Sequence, residues 1–86
     1  MTTDAVHTAT LSVSYPTHES AALVAESLRP EVDRIDDDDR ATATVAREAN
    51  AVEITVRATD LVALRAGTAS WIRLLEVAEQ VAGVDA

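Results

Sequence analysis

The chain has 86 residues, no cysteine, and a net charge of −8 from 15 acidic and 7 basic residues. That length makes one domain, which buries only about 60–65% of the unfolded chain's surface, so stability is expected to be modest and association a common remedy. The missing cysteine excludes disulfides, thiolate metal sites and thiol nucleophiles. With no apolar run near the ~20 residues of a membrane span and no basic, apolar leader, a cytoplasmic protein is expected.

Met1 to Val6 reads as a loose start. Thr8 to Tyr15 alternates, with Ala9, Leu11, Val13 and Tyr15 on one face and Thr8, Thr10, Ser12 and Ser14 on the other. Period two with one polar face is a half-buried strand, and Pro16 ends it. Thr17 then caps a helix that runs through about Leu28, with Ala21, Val24, Ala25 and Leu28 on its inner face. Pro30 predicts a stop at Arg29. Glu31 to Arg40 reads as a charged connection centred on Asp36 to Asp39. Those four carboxylates lack the alternating ligands, central glycine and distal glutamate of an EF-hand loop, so they read as solvated.

Ala41 to Arg47 is a weaker strand, with Ala41, Ala43 and Val45 facing in. Glu48-Ala49-Asn50 makes the turn, where Asn50 is the residue that best tolerates positive φ. Ala51 to Ala58 is a stronger strand: Val52, Ile54 and Val56 face in, and Glu53, Thr55 and Arg57 face out. A long helix follows from Asp60 to Ala82. Thr59 and Asp60 supply capping side chains, and Gly83 is the expected stop. One stripe at helical spacing is Leu61, Leu64, Thr68, Trp71, Leu75, Ala78 and Ala82; a second set is Ile72, Leu74, Val77 and Val81. Together they exceed the single stripe of a surface helix, which predicts that a partner covers part of it.

The order strand, helix, strand, strand, helix specifies an α+β fold. Each strand has one apolar face, so both helices are expected on one face of a three-stranded antiparallel sheet, with the third strand between the first two. An exposed edge strand remains, and edges invite pairing with another chain.

Little in the sequence supports catalysis. His7 and His18 have no nearby nucleophile pattern, and no phosphate-binding glycine loop is present. No cofactor or metal is expected. All seven basic residues are arginine. Missing lysine with excess acid predicts adaptation to high intracellular salt, under which self-repulsion is screened. Arg65 and Arg73 lie about 80° apart around the helix. Each is either a solvated flank of the apolar stripe or a forked contact to a carboxylate or phosphate.

The run Ala58-Thr59-Asp60-Leu61-Val62-Ala63-Leu64-Arg65, followed by Ser70-Trp71-Ile72-Arg73, resembles the signature of the small Pcc-type subunit of the KEOPS complex, the CTAG/LAGE family. The family pattern is roughly A-x-D-x-x-x-L-R, then N-S, an aromatic and an aliphatic residue. Ala69 departs from it where asparagine is common. The resemblance implies a single Pcc-type domain over residues 1–86. It implies a non-catalytic scaffold that dimerises through sheets and helices and packs its helices against the N-terminal region of an ATP-using catalytic subunit. That complex installs threonylcarbamoyl on the adenosine next to the anticodon of tRNA, and the small subunit assists tRNA binding indirectly or weakly.

The expected partner interface is Leu61, Leu64, Arg65, Thr68, Trp71, Ile72 and Leu75. Arg57 and Arg73 are candidate tRNA contacts. The alternative reading is a stand-alone RNA-binding module using the Thr/Arg face of the sheet, which lacks the aromatics that stack bases. A small enzyme with its site at a dimer interface is a third class, against which the missing nucleophile and base argue.

Overall fold

A computed structural model describes residues 7–34 and 41–84. The elements are β1 (His7–Ser14), α1 (His18–Arg34), β2 (Ala41–Glu48), β3 (Ala51–Ala58) and α2 (Leu61–Ala82). The sheet order is β1-β3-β2, with both pairs antiparallel. The expected α+β architecture, strand order and helix placement are therefore observed. Asp36 to Asp39 and Met1 to Val6 lie outside the described residues.

Alternation in each strand aligns the apolar rows across the sheet. Leu11 and Val45 both sit opposite Ile54, and Ala9 and Ala43 both sit opposite Val56. The central strand buries Val52, Ile54, Val56 and Ala58. Against them lie Ala21, Val24, Ala25 and Leu28 of α1 and Ala63, Trp71, Leu75 and Ala78 of α2. Each large apolar side chain fully buried here contributes about 1.5–3 kcal/mol relative to exposure. The opposite face, with Thr8, Thr10, Ser12, Thr42, Thr44, Glu53 and Arg57, is exposed.

The helix ends follow from local chemistry. The Thr17 hydroxyl accepts from the Ser20 backbone N–H at 3.0 Å. The Asp60 carboxylate accepts from the Ala63 N–H at 2.7 Å; each satisfies one of the free donors of a helix start. At the far end of α2, Gly83 takes φ 73, donating to the Gln80 carbonyl while Val84 donates to that of Glu79. This pair of bonds is the Schellman closure, and its left-handed residue suits glycine.

Two local expectations fail. α1 does not stop at Arg29: Pro30 lies inside a helix that reaches Arg34, so Glu31 to Arg34 is helical rather than connecting chain. Proline removes the N–H that would bond the Glu26 carbonyl, but Glu26 and Pro30 are both exposed, where water can satisfy that oxygen. Continuing the helix also packs Val32 against the core. The second failure is in the hairpin. Glu48 pairs with Ala51, which leaves a two-residue loop, and Ala49 rather than Asn50 takes positive φ, at 55. Asn50 is used differently. Its carbonyl accepts from the Tyr15 N–H at 2.8 Å and its side-chain amide donates to the Tyr15 carbonyl at 2.7 Å. The hairpin tip is thereby fastened to the end of β1.

At Gly67 the backbone of α2 lies close against the sheet. A Cβ there would lie 3.2 Å from Val56 Cγ1 and 3.8 Å from Ala41 Cβ. At the other end of the helix, the Tyr15 hydroxyl donates to Glu79 Oε2 at 2.7 Å. Burial, and then the Glu79 carboxylate beside it, hold the Tyr15 hydroxyl above its ordinary pKa.

Candidate functional site

α2 has 22 residues, and the sheet selects which of its apolar rows become core. Ala63, Trp71, Leu75 and Ala78 face inward and are buried. Leu61, 60% exposed, and Ile72, 41% exposed, fall on one flank of that buried row. Val77 and Val81 fall on the other flank, and both are exposed. Leu74 is partly buried against the core.

The first flank forms a shallow groove of about 450 Å³ lined by Leu61, Leu64, Arg65, Thr68, Ala69 and Ile72. Its lining comes from α2 alone; Leu61, Arg65, Ala69 and Ile72 are exposed, whereas Thr68 is partly buried and Leu64 packs in part against the core. Five of the seven residues assigned to a partner interface from sequence line it. The other two, Trp71 and Leu75, lie in the protein's own core, at 1% and 8% exposure. Ala69, at the position that departs from the Pcc-type pattern, adds a small apolar wall. Thr68 Oγ1 is shielded from solvent and has no hydrogen-bond partner.

The two candidate tRNA contacts are not brought together. Arg57 lies on the open sheet face, opposite Thr8 and Thr42. Arg73, two residues from the buried Trp71 and so nearly half a turn away from it, lies on the outer surface of the helical layer. Both are exposed. No cluster of three or more His, Cys, Asp or Glu placed to hold a metal ion occurs among the described residues.

Sequence reasoning missed Ala63 and Gly67 as sheet-facing positions. The signal was present as two small residues four apart leading to Trp71. Small side chains at that spacing let a helix sit low on a sheet, but the larger leucines drew the stripe one flank over.

Comparison with known proteins gives two positive findings. The family model described as "Transcription factor Pcc1" matches residues 8–83. The fold is similar to a chain of the "Crystal structure of binary complex Gon7-Pcc1", with a TM-score of 0.75 and 24% sequence identity over 87% of this chain and 90% of that one. No match is found among curated protein sequences.

Proposed function

The chain belongs to the Pcc1 family, and on that premise we propose that it is a non-catalytic dimerisation and scaffold subunit of the KEOPS complex, formed of a single Pcc-type domain over residues 1–86. In this role it binds the catalytic ATP-using subunit and supports threonylcarbamoyladenosine modification of tRNA. The observation that carries the reading is the uncovered apolar groove on α2. A helix with apolar surface on both flanks of its buried row is built for more than its own core.

The family description mentions transcription, but a chain of net charge −8 is poorly suited to contact duplex phosphates directly. No helix among the described residues is long and apolar enough to cross a membrane, which fits a cytoplasmic complex. The excess acid without lysine fits a cell interior rich in salt.

Self-association is assigned to β1. β1 and β2 are the two edges of the sheet. β2 ends in Arg47 and Glu48, whereas β1, His7-Thr8-Ala9-Thr10-Leu11-Ser12-Val13-Ser14, carries no lysine, arginine, carboxylate or proline. Such residues are what usually blunt an edge. We expect light scattering in multimolar salt to give a homodimer mass at micromolar concentration; a monomer mass would remove this part of the proposal. Affinity capture of the tagged protein from its own cells is expected to retain a large ATP-binding subunit. Loss of that subunit, together with RNA binding by the isolated chain, would favour the RNA-binding alternative.

A further inference from the structure

We propose that the open face of the sheet is a second self-association surface, through which two edge-paired dimers stack into a tetramer, with Arg57 of each protomer on Glu53 of the protomer facing it. The stack rests on the β1 dimer proposed above and extends it. The core and both helices lie on the other side of the sheet, so stacking leaves the helical layer free.

The placement of charge selects the geometry. Arg57 and Glu53 leave β3 on the same side, four residues and about 13 Å apart at roughly 3.3 Å per residue. Both are exposed, and their rows are otherwise uncharged: Thr8 and Thr42 flank Arg57, and Ser12 and Ala46 flank Glu53. Midway between them runs the row Thr10, Thr55, Thr44. A two-fold axis along that row turns a second sheet face to face and exchanges the two ends of β3. Arg57 then meets Glu53 twice, and Thr55 meets its own copy. A two-fold along the strands would set Arg57 on Arg57 and Glu53 on Glu53. The first axis is therefore the self-complementary one that an isologous contact needs. Threonine suits the middle row, because its hydroxyls donate to and accept from one another.

Repulsion and area point the same way. Two copies of net charge −8 repel on most approaches. The open face holds Arg57 against Glu48 and Glu53, so most of the excess acid lies elsewhere. RNA is the poorer occupant, since this face offers one cation, two carboxylates and no aromatic ring. Three strands of eight residues span about 26 by 14 Å, roughly 370 Å². Stacked singly, two such faces bury about 750 Å² in total, the range of crystal contacts. The six-stranded sheet of a β1 dimer doubles this to about 1,500 Å², the range of stable complexes. Stacking is thus a property of the dimer, and the two kinds of two-fold close a tetramer.

The test is sedimentation of the full-length protein in multimolar potassium chloride. Dimer is expected at about 10 μM and tetramer by about 1 mM. Arg57→Glu and Glu53→Arg each set like charges face to face, and each is expected to remain dimeric at the higher concentration, a loss of at least about tenfold in association. Mixed in equal amounts, the two variants are complementary and are expected to recover the tetramer, as is the double exchange within one chain. Circular dichroism melts check that each variant is folded.

The chain has no cysteine, so Thr55→Cys reports a single contact. Oxidation is expected to link it to its copy across the stack; within the edge dimer the two β3 strands lie about 14 Å apart, too far for a disulfide. A mixture that stays dimeric, a single variant that associates like the parent, or a tetramer that does not cross-link overturns the proposal. So does RNA binding that Arg57→Glu abolishes while the mass is unchanged, which would make the face a nucleic-acid surface. A parent that is dimeric at every concentration removes the stack alone; a parent that is always monomeric removes the β1 dimer with it.

Discussion

Trp71→Ala is expected to melt tens of degrees below the parent, the largest loss of any single truncation in the chain. Trp71 is 1% exposed and is the largest of the fully buried side chains. It shares the core with Ile54 of the central strand and with Val24 and Leu28 of α1. Truncating a buried Trp costs about 3–5 kcal/mol. A chain of 86 residues has a total stability of about 4–13 kcal/mol. The loss is therefore a large fraction of the whole, and at about 4–8 °C per kcal/mol the melting temperature falls by tens of degrees. Urea titration followed by far-ultraviolet circular dichroism measures it, since the variant has no tryptophan to report by fluorescence. Ile72→Ala, one residue along and 41% exposed, is expected to stay folded and to lose affinity for the partner instead. A Trp71→Ala protein that melts within a few degrees of the parent but no longer binds would place Trp71 at the interface and contradict its burial.

Lowering the salt concentration is the second large perturbation. The net charge is −8; Glu79 accepts from a tyrosine hydroxyl and Asp60 from a backbone amide. Arg47 donates to the Ala49 carbonyl. With eight more acidic than basic residues, the chain has net repulsion for salt to relieve. The Debye length grows from about 3 Å at 1 M to about 30 Å at 0.01 M, so carboxylates far apart on the surface begin to repel as salt is removed. Each kcal/mol of repulsion uncovered lowers the melting temperature by about 4–8 °C. Melting temperature should rise steadily from dilute buffer to multimolar potassium chloride; a flat or falling series would show that the acidity is incidental to stability.

Much of the fold was legible because its signals are local and redundant. The alternation in β1 and β3 fixed which side of each strand faces in, and once every strand had one apolar face the two helices had a single place to go. Asp60 and Gly83 marked both ends of α2 by capping chemistry alone. What was not legible depended on distant residues. Pro30 stays in a helix because Val32, two residues later, finds core to pack against, which the local rule for proline cannot register. Ala49 takes positive φ because the pairing of Glu48 with Ala51 leaves only two residues to turn, while Asn50 is held by Tyr15 from 35 positions away.

The interaction surface was half legible for a related reason. The sequence of α2 shows that its apolar residues exceed one stripe. It does not show which stripe the sheet takes. Leu61 and Ile72 are leftovers of that choice, Leu64 is shared between the core and the groove, and Trp71 and Leu75 are what it consumed. Gly67 lies close against Val56 and Ala41 of the sheet and Ala63 is buried, and small residues weigh least in a reading that follows hydrophobicity.

The placement of both helices on one side of a single sheet makes the protein two layers thick. Among the described residues no third layer lies beyond α2, so whatever seats in the groove completes a sandwich that the chain begins. Folding and assembly then share one equilibrium: a ligand present at 100 times its dissociation constant adds about 2.7 kcal/mol to the folded state, comparable to a core side chain. The subunit's abundance in the cell would follow that of its partners, because the orphan spends more time open to proteases than the assembled copy does.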